Sequence, residues 1–154
     1  MVTIIEDTRQ KASKHEVKHK YFEGNSISLI RCALPFGDYI AAPRIAVDTK
    51  QDISEIALNM CGSAKEKTRF REECVKAKEA GCKLIFLIED ARYDTVQSLY
   101  GKQIFIHNGQ TISGDQLATA MHVMAQRYGC EFWFCEPRES GRIIVELLEA
   151  NCGK

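Results

Sequence analysis

Leu84 to Ile88 is a run of five apolar residues, with Lys83 before it and Glu89-Asp90 after it. A segment that short cannot cross a membrane, which takes about 20 apolar residues. Its unbroken hydrophobicity leaves no side for water, so it is expected to be a strand covered on both faces, as in a sheet lying between helices. Glu131 to Cys135, centred on Phe132-Trp133-Phe134, reads as a second buried strand. The flanking segments supply the helices. Asp52-Ile53-Ser54-Glu55 is a capping-box pattern ahead of Ile56 and Met60, and Ser113-Gly114-Asp115-Gln116 repeats it ahead of Leu117, Ala120, Met121, Met124 and Tyr128. From Lys65 to Ala80, Phe70, Cys74 and Ala77 mark a buried stripe. Pro137 suits a first helical turn, with Ile143, Ile144, Leu147 and Leu148 facing inward after it.

The front of the chain has a different rhythm. Val2 to Asp7 is rich in β-formers, and a polar helical stretch then closes at Gly24-Asn25. Ser28 to Ala33, Asp38 to Ala42 and Ile45 to Thr49 are short strands separated by Pro35-Phe36-Gly37 and Pro43-Arg44 turns. They read as an antiparallel meander. Residues 91 to 109 are expected to be a loop with a short strand at Gln103 to Ile106. The sum is one α/β domain over residues 1–154, with a mixed sheet, an antiparallel N-terminal meander and helices on both faces.

Composition narrows the class. With 45% hydrophobic and 27% charged residues the chain has enough apolar side chains for a core and an ordinary soluble surface. The N-terminus has no basic region before a long apolar stretch, so no signal peptide is expected. Seven cysteines, none in a CxxC pair, suit a reducing, intracellular setting in which thiols are small core residues. Zinc is disfavoured because the ligand spacing is wrong. His15 and His19 stand among Lys11, Lys14, Lys18 and Lys20, which reads as a solvated basic segment. Equal numbers of acidic and basic residues, 21 each, argue against a protein that coats nucleic acid non-specifically.

The chemistry concentrates in Gly37-Asp38-Tyr39 and Val47-Asp48-Thr49-Lys50. Asp48 and Lys50 are two apart in a strand, so their side chains leave the same face. With the hairpin centred on Pro43, Asp38 lies opposite Asp48, with Cβ atoms about 4.5–5.5 Å apart. Two carboxylates at that distance repel. A hard cation such as Mg²⁺, which favours one or two carboxylates plus water and phosphate oxygens, resolves the repulsion. Lys50 beside them could hold an attacking water or offset charge on phosphorus. By spacing alone, the same residues also suit a strand start at Asp38 and a surface ion pair of Asp48 with Lys50.

An upstream Asp followed by Asp-x-Lys is similar to the PD-(D/E)XK arrangement of metal-dependent nucleases. More narrowly, the chain resembles the nuclease domain of the XPF family, in its compact bacterial and phage versions. The matching residues are Asp7-Thr8-Arg9 at the end of the first strand, Gly37-Asp38-Tyr39, and Asp48-Thr49-Lys50 ten residues after Asp38. Asp48 stands where the family has Glu, Thr49 where it has Arg, and Ser54 where it places an Asp, with Asp52 and Glu55 nearby. The resemblance implies a restriction-endonuclease-like fold and a DNA endonuclease dependent on Mg²⁺ or Mn²⁺ that acts at branched or junction DNA. In that reading Asp38 and Asp48 ligate the metal, Lys50 handles the water, Asp7 supports the site, and Arg9 contacts phosphate or orients Asp7. Asp52 is first a helix cap. A homodimer is also implied, and the residues add a hint, since alternation sends Trp133 to the opposite sheet face from Phe132 and Phe134. The rival expectation is a non-catalytic DNA-binding or scaffold domain of the same fold.

Overall fold

In the computed structural model, which describes residues 3–9, 11–41 and 45–149, the chain runs β1 (Thr3–Asp7), α1 (Glu16–Gly24), β2 (Ser28–Cys32), β3 (Tyr39–Ala41), β4 (Ile45–Lys50), α2 (Ile53–Cys61) and α3 (Ala64–Glu79). It continues through β5 (Lys83–Ile88), β6 (Gln103–Phe105), β7 (Thr111–Ser113), α4 (Gly114–Tyr128), β8 (Glu131–Phe134) and α5 (Ser140–Glu149). The expected turn at Pro43-Arg44 and the strand start at Val2 lie outside the described residues.

Six strands form one sheet in the order β2-β1-β3-β4-β5-β8, and β6 and β7 form a separate hairpin. β5 is central and apolar on both sides, as its sequence requires. Leu84, Phe86 and Ile88 pack with α2, α3 and α4, whereas Ile85 and Leu87 pack with α1 and α5. The expected mixed sheet with helices on both faces is therefore what forms.

One detail of the expected meander is corrected. β2 does not pair with β3; it runs parallel to β1, with Ile5 beside Ile30, and β3 inserts between β1 and β4, antiparallel to both. The reason is α1, which acts as the crossover of a β1-α1-β2 unit and returns the chain in the same direction. The segment after β2 then folds back around the end of β1. There the Thr8 amide donates to the Cys32 carbonyl at 3.2 Å, and the Leu34 amide to Asp7 Oδ1 at 3.2 Å. The carboxyl ends of β1, β4 and β5 consequently share one edge of the sheet.

The segment expected to be solvated also differs. His15 and Lys18 are buried, and α1 is clamped to the sheet by a fully buried Glu6. Its carboxylate meets His19 Nε2 at 2.6 Å, Arg31 Nε at 2.7 Å and the Tyr39 hydroxyl at 2.8 Å. Burial works to raise the Glu6 pKa, but the hydrogen bonds from His19 and Tyr39 prevail and hold it below the ordinary range. Lys18 pairs with Glu89 at 2.5 Å on the same side.

On the opposite face, the Phe86 ring stacks between Phe70 of α3 at 4.6 Å and Phe132 of β8 at 5.3 Å. This stack sets the distance of α3 from the sheet. Phe86→Ala is expected to cost about 3–5 kcal/mol of unfolding free energy, measured by urea titration. A loss below about 1 kcal/mol would show that the stack does not tie α3 to the sheet.

Candidate metal and phosphate cleft

The site is made at the strand ends by local backbone constraints. Gly37 has φ +69°, and a Cβ there would come within 3.1 Å of Ala46 Cβ, so the turn into β3 requires glycine. Tyr39 pairs with Val47 and Ala41 with Ile45, which is the register expected from a hairpin centred on Pro43. At Asp38 the ladder deviates. Its amide donates to the Val47 carbonyl at 2.8 Å, and its carbonyl accepts from the Asp7 amide at 2.7 Å. Asp38 is thereby fixed between β1 and β4.

A cleft of about 480 Å³ opens here, lined by Asp7, Arg9, Asp38, Asp48 and Lys50 among others. All five expected site residues thus line one cavity. Asp38, Asp48 and Lys50 are buried, so the surface ion pair is not what forms. Lys50 Nζ stands 3.1 Å from Asp48 Oδ1 and 5.8 Å from the centre of the Phe86 ring. Burial works to lower the Lys50 pKa, but Asp48 foremost, then Glu73 and Glu55, override it and raise it. Lys50 is held as a cation.

Asp38 Oδ2 accepts from both the amide and the hydroxyl of Thr49, each at 2.7 Å. Asp38 and Asp48 share the cleft, close enough for the Asp48 charge to act on the Asp38 carboxyl. Asp7 is buried, and its carboxylate holds Arg9 Nε at 2.9 and 3.0 Å. Arg9 also donates to the Leu34 carbonyl, and its side chain is 60% exposed at the cleft mouth. Asp7 braces the turn that carries Asp38, and Arg9 is available to an incoming anion.

Two further residues belong to the site, Thr49 inside the sequence motif and Glu73 outside it. Thr49 holds Asp38. Glu73 of α3 accepts from the Gly37 amide at 2.7 Å and lines the cleft together with Asp48. Its signal in the sequence was faint: it lies beside Cys74 on the buried Phe70-Cys74-Ala77 stripe, where a carboxylate needs a partner. Asp52 does cap α2, accepting from the Glu55 amide at 3.0 Å, and it also meets His107 at 2.7 Å. Glu55 turns back to accept from the Gln51 amide at 2.7 Å. Ser54 is buried and accepts from the His107 amide at 2.9 Å, so it anchors the β6-β7 hairpin.

Burial, and next the Asp48 charge, push the Asp38 pKa up to about 7; burial and the same neighbour push Glu73 up to about 8. Three acids face one lysine, so the cleft is short of positive charge. Among the described residues no three of His, Cys, Asp and Glu are grouped so as to hold a metal ion unaided. The donor set fits a hard cation such as Mg²⁺ or Mn²⁺, which needs only one or two carboxylates and completes its shell with water and ligand oxygens. It lacks the nitrogen and sulfur donors typical of zinc.

A model of the ERCC4 domain family matches residues 6–147. Among solved structures, XPF from Aeropyrum pernix in complex with DNA is similar at TM-score 0.70 and 17% identity, covering 97% of this chain and 64% of that one. XPF from Aeropyrum pernix in a second structure is similar at TM-score 0.68 and 18% identity, covering 99% and 66%. The chain thus spans just under two thirds of the length of these XPF chains. No curated protein matches it in sequence.

The raised carboxyls make a pH prediction. In the unfolded chain such groups titrate near 4, so between about pH 4 and pH 8 the folded state binds more protons and loses stability as pH rises. In EDTA, the melting temperature of the wild type relative to Asp38→Asn/Glu73→Gln should fall from pH 5 to pH 8.5. Added Mn²⁺ should recover it at pH 8.5 and scarcely at pH 5, because metal ligands must be deprotonated. A pH-independent difference between the two proteins would remove the carboxylate cluster as its source.

Proposed function

The chain belongs to the ERCC4 domain family, matched over residues 6–147, and on that footing we propose that it is a DNA endonuclease dependent on Mg²⁺ or Mn²⁺. The observation that carries the reading is the buried Asp38, Asp48 and Lys50 set, open to a cleft at the carboxyl ends of the strands. DNA is proposed as the ligand because the similar Aeropyrum pernix XPF is a complex with DNA. Branched or junction DNA is the substrate class that the XPF resemblance implies.

Asp38 and Asp48 hold the metal in this proposal. Bound there, a divalent cation supplies polarisation of the scissile phosphate and acidification of a water. The chain's own residues do the rest. Lys50, kept cationic by Asp48, holds the attacking water or offsets charge growing on the phosphate oxygens. Arg9, exposed at the mouth and oriented by Asp7, takes a neighbouring phosphate through its planar guanidinium. Arg69 and Lys76 of α3 add positive charge on the far wall of the cleft.

A homodimer is part of the same proposal. Trp133 remains 45% exposed because α5 directs Ile144, Val145 and Leu148, not its full width, onto the sheet. A groove of about 570 Å³ runs beside it, with Ile45, Ile85, Trp133, Phe134, Ile143 and Leu147 at its centre. Lys83, Glu131, Arg142 and Glu146 rim it, both charges present, as a self-complementary two-fold contact requires.

A cleavage panel of single-stranded, flap, fork, four-way and linear duplex DNA with Mg²⁺ or Mn²⁺ tests the activity, and cleavage of branched forms is expected. Asp48→Ala should lower turnover by ~10³, the equivalent of about 4 kcal/mol of transition-state stabilisation. Retention of more than about a tenth of wild-type turnover would remove Asp48 from the metal site, since a tenfold loss is only about 1.4 kcal/mol. Absence of cleavage with retained DNA binding would favour a scaffold domain instead. Light scattering at micromolar concentration should give roughly twice the 17.4 kDa chain mass, with an interface of at least ~1,000 Å². Trp133→Glu should return the mass to that of one chain.

A further inference from the structure

Glu73 is outside every motif of the sequence, yet it is tied to the turn that carries Asp38. It reaches the cleft from α3, whereas Asp38 follows the Gly37 turn and Asp48 lies on β4. Glu73 Oε1 accepts from the Gly37 amide at 2.7 Å, immediately before Asp38. Its carboxyl lines the same cleft as Asp48. Asp48 is held by Lys50 at 3.1 Å.

We propose that Glu73 is a positioning residue that fixes the Gly37-Asp38 turn against α3, and does so through the hydrogen bond it accepts from Gly37, not through its charge. The proposal rests on the metal-site reading of Asp38 and Asp48. Several features of the cleft support it. α3 is seated on the sheet by the Phe70–Phe86 stack at 4.6 Å, so its side chains have a fixed origin from which to hold a loop. Asp38 is tied on its other side by Thr49, and Asp7 accepts from Leu34 in the preceding strand connection. Glu73 supplies the remaining tie, to the turn itself. An amide at position 73 would keep this bond, since its oxygen accepts from Gly37.

The test compares Glu73→Gln, Glu73→Ala and Asp48→Asn in the full chain. Mn²⁺ affinity is read by calorimetry, DNA cleavage by kcat and KM separately, and folding by thermal unfolding. Glu73→Ala should weaken Mn²⁺ binding about 10- to 100-fold, the range for partners that orient metal ligands, and lower kcat more than KM. Glu73→Gln should restore Mn²⁺ affinity to near the wild-type value. If Glu73→Gln loses Mn²⁺ as severely as Glu73→Ala, the charge is what matters and the positioning role is overturned in favour of direct ligation. Unchanged Mn²⁺ affinity in both variants overturns it too. Asp48→Asn separates the two levels. If it loses Mn²⁺ while both Glu73 variants bind normally, only the Glu73 proposal fails. If it binds Mn²⁺ like the wild type, the metal-site reading fails and takes this proposal with it. Should Glu73→Ala not fold, Glu73→Leu replaces it, since leucine fills the volume without the hydrogen bond.

Discussion

Asp38, Asp48 and Glu73 are gathered at one end of the sheet with Lys50 as their near counter-charge, and this concentration of negative charge sets the terms for the structure around it. In a medium of lowered dielectric, such charges cost several kcal/mol unless they are paired, hydrogen-bonded or protonated. The chain uses all three means. Lys50 pairs with Asp48, Thr49 binds Asp38 through two donors, and the raised pKa values of Asp38 and Glu73 keep protons in the cluster near neutrality. In the proposed metal-bound state a divalent ion would relieve the repulsion that the protons otherwise suppress.

The scaffold answers the same constraint. Unlike a loop-borne site, this one is anchored by backbone bonds on both sides of Asp38, to Asp7 and to Val47. β4 is flanked by β3 and β5, so Asp48 and Lys50 have little freedom of register. The Phe70-Phe86-Phe132 stack lies beneath Lys50 and holds α3, the source of Glu73, Arg69 and Lys76. Placement at the carboxyl ends of parallel strands follows the general habit of open α/β sheets, in which ligands bind where strands deliver their last residues.

The two faces of the sheet perform different tasks. One, covered by α2, α3 and α4, carries the cleft at its edge. The other, covered by α1 and α5, contains the Glu6, His19, Arg31 and Tyr39 network and the Lys18–Glu89 pair, which lock α1 in place. Tyr39 links the two faces, since it follows Asp38 directly and donates to Glu6 from the opposite side of the same strand. α5 leaves Trp133 45% exposed on this second face.

What was legible in the sequence was local and periodic. The apolar run at Leu84–Ile88, the caps at Asp52 and Ser113, and the helix end at Gly24 follow from short-range physics, and each is found where the residues place it. The hairpin spacing likewise gave the register of Tyr39 opposite Val47 and Ala41 opposite Ile45, because turn position and pleat period together fix which residues oppose, although the ladder departs from it at Asp38. Other features depended on contacts distant along the chain. The parallel pairing of β2 with β1, the burial of His15 and Lys18, and the delivery of Glu73 to the Gly37 turn were decided by how α1 and α3 pack. Periodicity states which side of an element is apolar but not which remote segment will cover it. A lone acid on a helix therefore acquires a role only when tertiary packing brings it to its partner.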